Sequence, residues 1–103
     1  MPTMRIIARS ALVRFWTDHP DGAKAKPALE AWYAEAKNAK WADPAAVKDQ
    51  YRSASILKGS RVVFNIAGNS FRLVTKINYG AGIVYIRFVG THKQYDEIDA
   101  ESI

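Results

Sequence analysis

From Met4 to Ala8 the chain runs apolar and β-branched beside an arginine, the pattern of a short opening strand. The period then changes. Ala11, Leu12, Phe15 and Trp16 recur at helical spacing with Arg9 and Arg14 off the stripe, until His19-Pro20-Asp21-Gly22 breaks the helix. From about Lys26 to Lys40 a second apolar stripe of Leu29, Trp32, Tyr33 and Ala36 leaves Glu30, Glu35 and Lys37 largely outside it, so the two stretches predict a helical hairpin. Asp43-Pro44 pairs a capping residue with proline at the first helical position and predicts one or two further turns from Ala45 to Tyr51. After Lys58-Gly59 the period falls to two. Arg61 to Ile66, Ser70 to Asn78 and Ile83 to Val89 read as strands, joined by tight turns at Ala67-Gly68-Asn69 and Tyr79 to Gly82. The tail from Thr91 to Glu101 has helix-compatible composition, with Thr91 as its cap.

These elements predict an α+β fold: an N-terminal strand and a helical hairpin packed on a small antiparallel meander, closed by a short C-terminal helix. At 103 residues, with 49% apolar and 12% aromatic side chains, residues 1–103 suit a single domain that buries a real core. There is no cysteine, which excludes disulfides, thiolate metal sites and covalent catalysis through sulfur. The apolar run Ile6-Ile7-Ala8 is too short for a signal-peptide core or a membrane span, so the expected location is the cytoplasm, away from membranes. Glycine-rich phosphate loops, nucleophile elbows and zinc-ligand spacings are all missing, and no metal or cofactor is expected.

Strand alternation sorts the meander into two faces. Val62, Phe64, Ile66, Phe71, Leu73, Thr75, Ile77, Val84, Ile86 and Phe88 form an apolar face for the helices. Arg61, Val63, Asn65, Arg72, Val74, Lys76, Asn78, Tyr85, Arg87 and Val89 form the other. The net charge of +5 is a mild hint of an anionic partner, but its distribution is sharper. Between Asp49 and Asp96 there is no carboxylate, while Arg52, Lys58, Arg61, Arg72, Lys76, Arg87 and Lys93 fall in that stretch. Any one of them is explicable as a solvated or ion-paired group. Together, with Arg61, Arg72, Lys76 and Arg87 on adjacent strands about 5 Å apart, they suit a polyanion such as RNA.

Directly after the last strand comes Thr91-His92-Lys93-Gln94-Tyr95-Asp96. On a helical turn His92 shares a face with Tyr95 and Asp96. Cleavage of RNA without a metal needs a base for the 2′-hydroxyl proton, cations for the crowded phosphate and an acid for the leaving oxygen. His92 can serve either proton step, Tyr95 can stack on a base or assist proton transfer, and Arg72, Arg87 and Lys76 can hold charge. His19, in a loop before Pro20, has no comparable company.

The blocks from Val63 to Val74 (VFNxxGNxxRLV) and from Tyr85 to Asp96 (YIRxxxTHxxYD) closely resemble HigB-type toxins. The resemblance implies a RelE-like fold and metal-independent cleavage of messenger RNA, in many relatives only on the translating ribosome. It also implies a helix-turn-helix antitoxin of the HigA kind, with operator DNA bound only through the toxin–antitoxin complex. By motif, the family's catalytic functions fall on Arg72, Arg87, His92 and Tyr95; His92 takes the place of an obvious lysine-only chemistry and leaves the choice of general base open. Arg61, Lys76 and Lys93 are expected to bind RNA, Arg61 and Lys76 on strand facing alone. Two other readings compete: a non-catalytic RNA- or ribosome-binding module, and a protein-interaction domain whose basic sheet docks an acidic segment.

Overall fold

The computed structural model describes residues 3–103. Its elements run β1 (Arg5–Ile7), α1 (Arg9–Asp18), α2 (Gly22–Asn38), α3 (Pro44–Gln50), β2 (Ser55–Ile56), β3 (Arg61–Ile66), β4 (Phe71–Asn78), β5 (Ile83–Thr91) and α4 (His92–Tyr95). The architecture is α+β, with one sheet in the order β1-β5-β4-β3-β2. The meander forms as its alternating pattern predicts. The opening strand does more than pack on it, because β1 joins the edge of the sheet parallel to β5.

The helical hairpin covers one face. Leu12, Phe15, Leu29, Trp32 and Ala36 point into a core with Val62, Phe64, Ile66, Phe71, Leu73, Ile77 and Val84. Beside them Trp41 stacks on Phe64 at 5.9 Å, and Tyr51 meets the same ring edge-on at 5.1 Å. Buried Thr75 is satisfied by donating its hydroxyl to the Val62 carbonyl at 3.0 Å. The third helix starts where Asp43-Pro44 places it, and the Asp43 carboxylate accepts from the Ala46 N–H at 2.9 Å.

The second helix begins at Gly22, ahead of its apolar stripe, and carries Pro27 inside. Glycine permits this start because α1 and α2 nearly touch there: a Cβ on Gly22 would lie 2.2 Å from the Phe15 carbonyl oxygen. The two-residue strand β2 has no alternating pattern of its own and exists through pairing with Val62 and Val63.

Two departures bear on the other face of the sheet. First, β5 contains a bulge: Val74 pairs with Phe88 and Thr75 with Ile86, so Arg87 is the unpaired extra residue. Beyond it the faces exchange. Phe88 packs with Val63 and Val74, whereas Val89 packs against the main core, the reverse of strict alternation. Second, the expected tail helix stops at Tyr95, and the chain from there to Ile103 turns back over the sheet. Tyr95, Ile98, Ala100 and Ile103 form a second small core with Val63, Val74, Leu57 and Phe88. The face expected to be open and basic is therefore roofed across its middle, with Val63 and Val74 only 3% and 0% exposed.

Candidate functional site

The roof divides the predicted basic cluster in two. Arg61, Lys76 and Tyr85 are cross-strand partners at one end of the sheet; Asn65, Arg72 and Gly90 are partners at the other. Arg72 and Lys76 are about 13 Å apart along β4, with the apolar row of Val63, Val74 and Phe88 between them. Arg61 is committed elsewhere: Nε donates to the Ile103 carbonyl oxygen at 3.0 Å, Nη2 donates to the same oxygen, and Nη1 donates to the Gly59 carbonyl at 2.9 Å. Lys76 is exposed beside it, and Arg87 projects from the bulge, also exposed.

The Arg72 end is the richer one. Its Nη1 donates to the carbonyls of Asn69 at 2.9 Å and Phe71 at 3.2 Å, which ties the guanidinium to the β3–β4 turn. That group lies 5.9 Å from the Tyr95 ring centroid, a cation–π distance. Among the described residues no carboxylate comes within ion-pair distance of Arg72 or Arg87, so neither is neutralised by Asp96 or Glu97.

Helix α4 is short but well anchored. The Thr91 hydroxyl accepts from the Gln94 N–H at 3.1 Å and the Gln94 side-chain oxygen accepts from the Thr91 N–H at 2.9 Å, a reciprocal cap. Gly90 makes room for it, since a Cβ there would lie 2.6 Å from the Phe88 ring and 2.8 Å from the Gln94 oxygen. The His92 N–H donates to the Ser70 carbonyl at 3.1 Å, which carries the β4–β5 pairing one step into the helix. His92 Nδ1 then lies 3.1 Å from the Asp96 carboxylate, with both side chains more than half exposed. At that distance the carboxylate can orient the imidazole through Nδ1, which is the arrangement in which Nε2 is available to act as a base.

His92 and Lys93 line a cleft of about 440 Å3 whose other walls are Ala67, Ser70, Phe71 and Thr91, with Asp21 from the α1–α2 loop and Lys24 from the first turn of α2. Asp21 and Lys24 face each other at 3.6 Å. In the sequence Asp21 reads only as part of a helix break, because nothing local ties that loop to the distant β3–β4 turn. His19 is used structurally: its ring stacks on Phe15 at 4.9 Å and its Nδ1 accepts from the Asp21 N–H at 3.0 Å. Of the expected site residues, His92, Lys93 and Tyr95 thus stand on α4, and Arg72 lies against Tyr95 at its end. Arg87 stands on the bulge of β5, and Arg61 and Lys76 lie at the far end of the sheet. Among the described residues, no three His, Cys, Asp or Glu side chains are grouped as metal ligands would be.

A family model for HigB toxins, the RelE-like toxic component of a toxin–antitoxin system, matches residues 25–98, which run from α2 past α4. No curated protein matches the chain. No helix among the described residues is long and apolar enough to cross a membrane. The match spans most of the chain and takes in both motif blocks, and the α+β fold with its short closing helix is the RelE-like one, so the chain belongs to the HigB toxin family and acts as the toxin of a toxin–antitoxin pair, with an antitoxin as its partner.

Proposed function

We propose that this toxin is an endoribonuclease that cuts messenger RNA, in the cytoplasm and on the translating ribosome, by attack of the 2′-hydroxyl on the adjoining phosphate. The observation that carries the reading is the His92–Asp96 pair at 3.1 Å on the rim of a cleft, beside an arginine without a carboxylate partner among the described residues. In this reading His92 Nε2 takes the 2′-hydroxyl proton, and Asp96 stabilises the imidazolium that results. The 2′-oxygen–phosphorus bond forms as the bond to the 5′-oxygen breaks, and that oxygen leaves with a proton returned by the imidazolium or by water. The products are a 2′,3′-cyclic phosphate and a 5′-hydroxyl. Arg72, Lys93 and Arg87 offset charge on the phosphate, and Tyr95 holds Arg72 in place. No step calls for a metal.

The exposure of both His92 and Asp96 supports ribosome dependence, because an open acid–base pair gains from a second surface that excludes water and orients the strand. The partners of this reading are messenger RNA, the ribosome and a helix-turn-helix antitoxin of the HigA kind that caps the toxin and carries the complex to operator DNA. The test is induction of the chain in bacterial cells, with and without His92→Ala and Arg72→Ala, and mapping of messenger 5′ ends by primer extension. New cuts inside translated frames that vanish in both variants are expected. Growth arrest with intact messenger would overturn the reading in favour of a non-catalytic RNA- or ribosome-binding module.

A further inference from the structure

The helical hairpin carries charge that the cleft does not use. Arg9 lies 5.5 Å from the Trp16 ring centroid and 5.5 Å from that of Tyr33. Lys26 lies 5.8 Å from Trp16, and Lys37 lies 5.6 Å from Tyr33. The side chains form one alternating row, Lys26, Trp16, Arg9, Tyr33 and Lys37, running across α1 and α2. All three cations are exposed, and both rings are half-buried at the border of the apolar stripe, packed against the core that Leu12, Phe15, Leu29 and Trp32 enter. Glu30 stands one turn from Lys26, yet among the described residues no carboxylate lies within 4.0 Å of Arg9, Lys26 or Lys37.

We propose that this row is a second RNA-binding track, separate from the cleft, in which the three cations meet phosphates and the edges of Trp16 and Tyr33 meet sugars or bases. Two features select RNA. From Lys26 to Lys37 the helix rises about 16 Å, with Arg9 between the two lysines, so the charges are strung out as an extended polyanion requires and do not converge on a small ion. The cations are interleaved with aromatic rings, which a nucleic acid exploits through stacking as well as charge, whereas an acidic peptide uses only the charge. The inference rests on the ribonuclease reading for its RNA. It adds a grip that holds the single strand independently of the cutting residues.

The test uses the full chain carrying His92→Ala, so that bound RNA is not cut, and a labelled single-stranded RNA oligonucleotide followed by fluorescence anisotropy as salt is raised. Adding Arg9→Gln, Lys26→Gln and Lys37→Gln together should weaken binding at least about tenfold at low salt. The slope of log affinity against log salt should fall by about two, at roughly 0.7 for each phosphate no longer neutralised. Trp16 is the half-exposed tryptophan, Trp32 and Trp41 being buried, so RNA should quench emission in the parent and not in a Trp16→Phe variant. Unchanged affinity and slope in the triple variant would overturn the proposal, whether its thermal midpoint falls, which would make the row a brace for the hairpin, or a poly-glutamate peptide loses binding instead, which would make it a site for an acidic partner. If the unaltered chain cuts messenger in cells while the triple variant binds RNA as its parent does, only this inference fails. If the unaltered chain makes no cuts, the ribonuclease reading fails first.

Discussion

Arg61 is where the alternation of the strands and the packing of the chain assign opposite roles to one side chain. Alternation offers its guanidinium to RNA; packing gives its donors to backbone, with Nε and Nη2 on the Ile103 carbonyl and Nη1 on that of Gly59. Replacing it in Arg61→Gln removes the charged donors while keeping part of the stem. A hydrogen bond from a charged group contributes about 1.5–3 kcal/mol when well sheltered, but this side chain is only half-buried and two of its donors share one oxygen. About 1–2 kcal/mol is a fair sum. Part of that loss acts through Ile103, which together with Ala100 keeps Val63 and Val74 covered. For a domain of this size the corresponding fall in melting temperature is about 5–15 °C. Thermal melts followed by circular dichroism measure it, and a salt titration of RNA binding on the same samples measures the other role. The expected result is a lower midpoint with an unchanged salt slope. An unchanged midpoint with a slope reduced by about 0.7 would mean that the guanidinium is a phosphate ligand and that the clamp on the tail contributes nothing.

Tyr95 separates packing from chemistry: Tyr95→Phe should keep the midpoint within about 2–3 °C and most of the cleavage, because the ring both fills the second core and carries Arg72. Tyr95→Ala should cost about 2 kcal/mol and abolish cleavage, as read by melts and primer extension; a loss of cleavage in folded Tyr95→Phe would give the hydroxyl a proton-transfer role instead. Alkaline unfolding should report Tyr51, whose phenol is pushed well above the ordinary tyrosine range by burial first, then by donating to Glu35 at 2.5 Å and by that carboxylate's charge. Because the folded state holds this proton more tightly, its stabilising contribution is complete below about pH 10 and is lost as pH rises from there toward the raised value. Above about pH 10 the midpoint of the unaltered chain should therefore fall more steeply than that of Tyr51→Phe, with a residual slope from Tyr79, raised by burial and by Asp43. Equal slopes in the two proteins would refute the assignment.

The helices and the meander were legible in the sequence because each is specified by a local period that the core then uses: Leu12 and Phe15 at helical spacing, Phe64 and Ile66 at strand spacing. What was not legible depends on partners far along the chain. Ser55 and Ile56 are a strand only because β3 lies beside them. Gly22 starts a helix only because Phe15 and Trp16 come too close for any other residue. The bulge at Arg87 is invisible to a period of two, since it adds a residue to one strand without altering the composition of either.

The roof over the sheet, by contrast, left a trace in the sequence. Residues assigned by alternation to a solvent face included Val63 and Val74, directly opposite each other on neighbouring strands, and an exposed pair of that kind calls for a cover. The covering residues were in view as well: Ile98, Ala100 and Ile103 sit in a tail otherwise rich in aspartate and glutamate, at spacings that fit neither a helix nor a strand, as expected of a segment whose shape follows the surface it coats. Matching the two splits the basic face into the halves that the fold shows, with Arg72 left beside His92 and Tyr95, and Arg61 bound to the tail. The same pairing explains why the acid–base residues cluster where they do. The tail must leave β5 by a tight turn to reach the roof, Thr91 and Gln94 cap that turn, and His92 and Asp96 fall on it one helical step apart. The approach of His92 Nδ1 to the Asp96 carboxylate is thus a consequence of how the second core is closed, and a variant that unseats the tail should disorder the site before it unfolds the hairpin and the main core.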